Sequence, residues 1–130
     1  MSSLFTKIIN KEVPAYILAE NKNFIAFLDI NPLNEGHTLV VPKVERDYIF
    51  NNSDEVLAQI LLFSRDVAKA IEQVIPCTRI GLAVIGLEVP HTHLHLVPIN
   101  NVGDIDFSRK KLKIDPKRMA EIASAIKALL

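Results

Sequence analysis

The chain is poor in several residue types, and each shortage narrows what the protein can be. It has one cysteine, no tryptophan and four glycines among 130 residues. The single cysteine, Cys77, cannot form an internal disulfide, which favours a reducing compartment, and we interpret it as a packed, inert thiol. Fifteen basic and fifteen acidic residues leave no net charge, so the composition offers no general attraction for nucleic acid or an anionic membrane.

Long hydrophobic runs are also missing. No apolar segment approaches the roughly 18 residues that span a bilayer, and residues 1–7 lack the basic start and apolar core of a signal peptide. We therefore predict a cytoplasmic protein that binds neither membranes nor nucleic acid. The hydrophobic fraction of 49% is enough for a core without disulfide support, and we predict one domain over residues 1–130.

The periodicity of the apolar residues predicts three helices separated by short strands. A short helix is predicted over 3–10, a long one over 54–75 that Ser53 or Asp54 caps, and a last one that begins at Asp115. The apolar face of the long helix is wider than one core stripe, so it either covers more of the sheet or meets a partner chain. The segments that read as strands are 16–19, 24–29, 38–42, 80–85 and the alternating segment 90–98.

The strands occur in runs rather than in strict alternation with helices. This order favours an α+β domain, in which a mainly antiparallel sheet carries its helices against one face. Residues 100–114 are polar and basic, and we predict that they form a mobile connection before the last helix.

Histidine is scarce, yet it is concentrated in one place. The chain has four histidines, and three of them are His91, His93 and His95. Alternate residues of a strand share a face, so the three rings are predicted to form a row that faces an opening. Such a row permits a nucleophile oriented by its neighbours or a shared metal ion, commonly zinc. The nearest carboxylate, Glu88, has an odd offset from the row, which argues against the metal.

Residues 90–98 resemble the signature of the histidine-triad (HIT) superfamily, which is His-x-His-x-His followed by apolar residues. Segments 5–15, 27–32 and 36–43 resemble the earlier motifs of the family in order and spacing, and His37 falls where the family keeps an additional histidine. The resemblance implies a HIT-like fold with an antiparallel sheet of about five strands, a long helix and a C-terminal helix. It also implies a homodimer.

The same resemblance implies transfer or hydrolysis at the α-phosphate of a purine nucleotide conjugate, with no metal and no organic cofactor. His93 would be the nucleophile and would form a transient nucleotidyl-histidine. His95 would contact the phosphate or the leaving group, and His91 would help to hold the active ring, in part through its backbone. His37 would extend the polar network. Asp29 would meet the ribose hydroxyls, although a turn-capping role is the alternative from the residues alone.

A nucleotide base needs an apolar slot. All the candidates to line such a slot lie in the first third of the chain. Ordinary core packing is the alternative role for at least half of them. These candidates are Phe5, Ile8, Phe27 and Ile30.

The sequence departs from the family pattern in three places. Leu87 replaces a polar residue that usually binds a phosphate oxygen or the leaving group. Segment 77–86 lacks the usual asparagine, for which Thr78 or Arg79 is a possible substitute. Some bacterial relatives hold a structural zinc through an N-terminal Cys-x-x-Cys pair and later histidines. Ser3 and Thr6 occupy the cysteine positions here, and Val44-Glu45 lacks the later histidine. We therefore expect no structural zinc.

These departures keep two alternative functions open beside the enzyme. Leu87 and the missing asparagine favour a nucleotide-binding module with little turnover. The histidine row by itself also permits a metal-dependent hydrolase, which is the less favoured of the two.

Overall fold

The computed structural model describes residues 2–130, which contain one antiparallel sheet. The strands are β1 (Ile17–Glu20), β2 (Phe24–Leu28), β3 (Thr38–Pro42), β4 (Arg79–Ala83) and β5 (Leu94–Ile99). Their order across the sheet is β1-β2-β3-β5-β4, and every neighbouring pair is antiparallel. The predicted α+β class, with a mainly antiparallel sheet of about five strands, is confirmed.

Three α-helices accompany the sheet: α1 (Leu4–Ile9), α2 (Asp54–Val74) and α3 (Pro116–Lys127). Two short 3₁₀ turns lie at Ile49–Asn51 and Val102–Ile105. The predicted caps of the two longer helices are confirmed, because the Ser53 hydroxyl accepts a hydrogen bond from the backbone of the first turn of α2 and the Asp115 carboxylate does the same for α3. None of the described helices combines the length and the apolarity needed to cross a membrane.

Apolar side chains cover both faces of the central strands, and this corrects the prediction that the helices lie against one face only. Strands β2 and β3 are buried at every position, so both of their faces need apolar cover. Helices α2 and α3 pack on one face, and the short helix α1 packs on the other. The second cluster contains Phe5, Ile8, Ile25, Phe27, Leu39 and Val41.

The wide apolar face of α2 is divided between the core and the surface. Phe63 packs against Phe24 with 5.6 Å between ring centroids, while Leu61 and Leu62 remain 55% and 45% exposed. Leu130 is exposed beyond the end of α3. Cys77 is half-buried just after α2, and burial raises the pKa of its thiol.

Strand β5 is shorter than the predicted alternating segment. It begins at Leu94, so His91 and His93 precede it instead of lying within it. Thr92 explains the difference, because its backbone N–H donates to the Arg46 carbonyl at 2.6 Å rather than to a strand of the sheet. The three histidines therefore do not share one regular strand face.

The segment 100–114, predicted to be mobile, is instead tied to the loop before β3. The Arg109 guanidinium donates to the Leu33 carbonyl at 2.8 Å, and the Leu112 backbone N–H donates to the Pro32 carbonyl at 2.8 Å. These bonds hold the segment beside the end of β5.

Gly36 ends that loop in a conformation that only glycine adopts readily. Its φ angle is +86°, and a Cβ atom added there would lie 2.8 Å from the Ile75 side chain. The turn can therefore pass close to the end of α2. This close turn delivers the next residue, His37, to the buried start of β3.

Candidate active site

A cavity of about 580 Å³ lies on the sheet face that α1 covers. His37, His93 and His95 line it together with Asp29. The candidates for an apolar slot, which are Phe5, Ile8, Phe27 and Ile30, line the same cavity. The fold therefore gathers into one place residues that lie far apart in the sequence.

His91 is the exception among the candidate residues. Its ring is 0% exposed and is not part of the cavity wall. The predicted row of three rings facing an opening is wrong for this residue, because His91 lies behind His93 and not beside it.

The backbone fixes the protonation of the His93 ring. Nδ1 of His93 lies 2.7 Å from the carbonyl oxygen of His91. A carbonyl oxygen can only accept, so Nδ1 carries the proton and Nε2 keeps an unprotonated lone pair. Burial is the main cause that lowers the pKa of His93, which keeps the ring neutral near pH 7. The geometry thus leaves the Nε2 lone pair of His93 available for chemistry.

A second chain of hydrogen bonds fixes His37 and His95. The Leu33 backbone N–H donates to Nδ1 of His37 at 3.0 Å, so the proton of a neutral His37 ring is on Nε2. That N–H in turn donates to Nδ1 of His95 at 2.9 Å. The remaining proton of His95 is therefore on Nε2, and His95 brings an N–H donor to the cavity wall.

Both of these rings are neutral at physiological pH. Burial lowers the pKa of His37 to about 3 and that of His95 to about 4, and the positive charges of neighbouring histidines and of Lys111 act in the same direction. The 3.6 Å approach between His37 Nε2 and Asp29 Oδ2 is thus a contact of a carboxylate with a neutral ring, not an ion pair.

Asp29 combines the two roles that the sequence left as alternatives. One carboxylate oxygen accepts a hydrogen bond from the Asn31 backbone N–H at 2.8 Å and caps the turn after β2. The residue nevertheless lines the cavity, with its other oxygen on the side of His37. Burial is the main cause that raises the pKa of this carboxyl.

The apolar slot has a buried part and an exposed rim. Phe5 and Phe27 are buried and meet edge to face with 5.6 Å between ring centroids, and Ile8 is buried beside them. Ile30 differs, because it is 67% exposed. Phe5 also meets the His93 ring at 4.9 Å between centroids, so the slot adjoins this ring.

Leu87 stands at the rim of the cavity in the loop between β4 and β5. It is 88% exposed, and the preceding Gly86 has a φ angle of +74°. Its hydrocarbon side chain brings no hydrogen-bond donor to this rim. The substitutes considered for the missing asparagine, Thr78 and Arg79, are not part of the cavity wall: Thr78 bonds to Asn100, and Arg79 is exposed at the start of β4.

The cavity wall includes two residues that the sequence analysis missed, Phe107 and Lys111. Phe107 meets the His95 ring with 4.6 Å between centroids, and the Lys111 ammonium donates to the Phe107 and Arg109 carbonyls. Lys111 is the one lysine or arginine in the wall among residues 2–130. A signal for Phe107 exists in the sequence, since it is the only aromatic residue after Phe63.

The site behind His93 is built from polar residues. The Ser3 hydroxyl lies 2.7 Å from Nδ1 of His91, and Glu45 accepts hydrogen bonds from the backbone of Ser3 and the hydroxyl of Thr6. These bonds lower the pKa of the Glu45 carboxyl to about 2. Two hydroxyls do not fit a structural zinc, which takes thiolate and imidazole ligands.

Within residues 2–130, one group of side chains has donor atoms close enough to share a metal ion. Atoms of Asp29, His37 and His95 lie within 4.8 Å of one another. However, the facing nitrogens of the two histidines already share a hydrogen bond, and His93 is not a member of the group. A metal bound there would replace that bond and would not involve the His93 ring.

Comparison with known proteins identifies relatives of the chain. A profile of the HIT domain matches residues 10–102. The chain is 34% identical over 131 residues to an uncharacterized HIT-like protein of Borreliella burgdorferi, which covers 95% of this chain and 94% of that protein. It is 35% identical over 96 residues to the adenosine 5′-monophosphoramidase of Saccharomyces cerevisiae, with 73% of this chain and 61% of that protein covered.

The solved structures agree with this result. A zinc-bound histidine triad family protein from Mycobacterium smegmatis superposes with a TM-score of 0.83 at 29% identity, over 99% of this chain and 93% of that chain. The architecture described above is therefore that of a known family.

Proposed function

Since the chain belongs to the HIT domain family, we propose that it is a nucleotide hydrolase or transferase acting at the α-phosphate of a purine nucleotide conjugate. One observation carries the proposal: Nδ1 of His93 is bonded to a carbonyl oxygen, which leaves the Nε2 lone pair free at the wall of a nucleotide-sized cavity. The candidate conjugates are nucleoside phosphoramidates, acyl-adenylates and dinucleoside polyphosphates.

In the first step, Nε2 of His93 attacks phosphorus, a P–N bond forms and the bond to the leaving group breaks. The bound phosphate is anionic, and the Nε2–H of His95 donates a hydrogen bond to it or to the departing group. The departing group takes its proton from water. The covalent intermediate divides one difficult displacement into two easier ones.

In the second step, water attacks the nucleotidyl-histidine and returns His93 to its neutral form. The proton released by the attacking water passes to solvent, and His37 holds the neutral His95 ring in place through their shared hydrogen bond. The Lys111 ammonium offsets part of the negative charge of the phosphate. Electrostatic stabilisation of this kind is strong where water is excluded. Asp29 binds the ribose, and the apolar slot beside Phe5 receives the base.

Incubation with adenosine 5′-phosphoramidate tests the reaction, and the phosphoramidase relative in yeast makes this the first substrate to try. Wild-type protein should release AMP, and mass spectrometry of a quenched reaction should find a nucleotidyl adduct on His93. His93→Ala should lower the rate by at least about a thousandfold. Release of AMP that survives His93→Ala would contradict the nucleophile assignment, and activity lost to a chelator and restored by zinc would favour a metal-dependent hydrolase.

A nucleotide-binding module with little turnover is the second candidate function. The observation that favours it is Leu87, whose exposed side chain brings no donor to the cavity rim. Tight AMP binding without turnover by wild-type protein would support this function. Gain of turnover in Leu87→Gln would then show that the missing donor is the cause.

We propose the homodimer and the cytoplasmic location on narrower grounds. Leu61 and Leu62 leave an apolar strip of α2 uncovered, which suits a second copy of the chain, and a single half-buried cysteine suits a reducing compartment. A monomer by sedimentation at micromolar concentration would contradict the dimer.

A further inference from the structure

We infer that Ser3, Thr6 and Glu45 form a positioning network that holds the His93 ring from behind, through His91. The inference rests on the proposed function, because it assigns these residues a task in the chemistry of His93. None of the three touches the cavity, so they are positioning residues and not catalytic ones.

The network begins at the carboxylate of Glu45, which follows β3. Its Oε1 atom accepts a hydrogen bond from the Ser3 backbone N–H at 2.8 Å and another from the Thr6 hydroxyl. Ser3 caps α1, since its hydroxyl accepts from the Thr6 backbone N–H at 3.0 Å. One carboxylate thus holds the first turn of α1 against the segment after β3, and charge-assisted bonds of this kind are stronger than neutral ones.

The next link has a direction that can be deduced. Nε2 of His91 lies 2.7 Å from the Pro42 carbonyl oxygen, which can only accept, so Nε2 carries a proton. When the ring carries this one proton, Nδ1 of His91 is an acceptor. The Ser3 hydroxyl, 2.7 Å away, then donates to it. Both ring nitrogens of His91 are then bonded, and the ring is 0% exposed.

The last link runs through the backbone of His91. Its carbonyl oxygen accepts from Nδ1 of His93 at 2.7 Å, and its N–H donates to the Val89 carbonyl at 2.8 Å. The side chain and the backbone of His91 are thus both fixed. The His91 carbonyl sets the tautomer of His93 and thereby keeps the Nε2 lone pair of His93 available. If the His91 side chain loosens, this carbonyl is no longer held in place.

The same network fixes the apolar wall beside the nucleophile. Phe5 lies in the first turns of α1, between Ser3 and Thr6 on one side and the His93 ring on the other, with 4.9 Å between ring centroids. A helix of six residues has little stability by itself. The bonds from Glu45 are therefore needed to hold Phe5 in place.

The network extends beyond the matched domain. The HIT domain profile covers residues 10–102, so Glu45 and His91 lie inside the matched region while Ser3 and Thr6 lie outside it. The donor set of two hydroxyls, a carboxylate and an imidazole suits hydrogen bonding and not structural zinc. Hydrogen bonds, together with the apolar packing of Phe5 and Ile8, thus hold α1 against the triad here.

NMR of the histidine ring nitrogens tests the inference without any variant and without any turnover. In wild-type protein, His91 should be protonated on Nε2 and unprotonated on Nδ1, and His93 should be protonated on Nδ1. A wild-type His91 ring that is protonated on Nδ1 would overturn the inference, even if the protein hydrolyses nucleotides. Conversely, absence of AMP release with these tautomers in place would remove the proposed function and leave the positioning network intact.

Variants test the effect on the reaction. Glu45→Ala and Ser3→Ala should each lower kcat by about tenfold, as outer residues of a site commonly do, with KM changed by no more than about threefold. In both variants the His93 ring should show a mixture of tautomers by NMR. Ser3→Thr keeps the hydroxyl and should restore kcat to within about threefold of wild type.

Each matched control variant removes an exposed side chain of the same residue type, serine or glutamate, near the same helix. Ser2→Ala and Glu12→Ala, at exposed positions near the same helix, should leave kcat and the His93 tautomer unchanged. The inference is wrong if Glu45→Ala and Ser3→Ala keep both the wild-type kcat and a single His93 tautomer. It is also wrong if they lower kcat while the His93 tautomer stays that of wild type, because the loss would then be structural.

Discussion

The two sides of the His93 ring differ in how completely their polar groups are paired. Behind the ring, His91 uses both ring nitrogens and both backbone polar groups in hydrogen bonds. In front, His95 has one ring nitrogen bonded to His37 and the other free at the cavity wall, and Lys111 has one donor beyond its two carbonyl partners. Pairing is complete behind the ring and incomplete in front of it, where the proposed function places the ligand.

This difference has an energetic meaning. A buried donor or acceptor that loses its partner costs about 1–3 kcal/mol, so the rear of the site should matter most for the free energy of unfolding. The front exposes its unpaired groups to the cavity, where water or a ligand can bind them. The front should therefore matter most for binding and for pH dependence.

Removal of the rear histidine should have the largest effect on stability. His91→Ala empties a fully buried position and leaves the Ser3 hydroxyl and the Pro42 carbonyl without their partner, so the free energy of unfolding should fall by about 4 kcal/mol. His95→Ala is the matched variant at the front and should lose less than half as much, because water from the cavity can reach His37. Urea unfolding measures both, and equal losses would show that the two sides do not differ.

The sequence predicts the outline of this arrangement but not its division into two sides. Helical periodicity and capping residues are local signals, so α2 and α3 follow from them to within a residue or two. The predicted row of three histidines is wrong for His91, because the strand alternation does not extend back beyond Leu94. Pairing of β5 with β3 begins at that residue. Where a strand starts depends on its partner strand, and that partner lies far away in the sequence.

The other site residues that the sequence does not predict also depend on contacts between distant parts of the chain. Phe107 and Lys111 reach the cavity because Arg109 is bonded to the Leu33 carbonyl, and no local pattern predicts that contact. The sequence alone identifies Ser3 only as a residue that stands where zinc-binding relatives have a cysteine. Its bond to His91 joins residues 88 positions apart, so only the folded chain makes its role visible.

The pH dependence of the free energy of unfolding should come mainly from the two histidines in front of the His93 ring, His37 and His95. His37 and His95 have their pKa lowered from 6.5 to about 3 and about 4, so the folded state binds fewer protons than the unfolded chain as the pH falls. Their contribution to stability is complete above pH 6.5 and is lost as the pH falls from there towards about 4. The pair should cost about 3 kcal/mol of unfolding free energy at pH 5.5.

Urea unfolding at pH 7.5, 6.5 and 5.5 measures this loss. His37→Gln removes one of the two groups and should show about half the decrease over the same range. A wild-type unfolding free energy that stays constant from pH 7.5 to pH 5.5 would mean that the two rings are not held neutral by burial.

The smallest effect should come from the cation at the front. Lys111→Met keeps the length of the side chain but removes the positive charge, so the cavity should bind AMP about fivefold more weakly at low ionic strength, and the difference should shrink as salt is added. Lys113→Met changes an exposed lysine of the same segment and should leave AMP binding unchanged. Calorimetric titration measures all three proteins. If Lys111→Met instead destabilised the protein while it bound AMP as wild type does, the ammonium would belong with the paired groups behind His93, and the difference between the two sides would lie in the histidines alone.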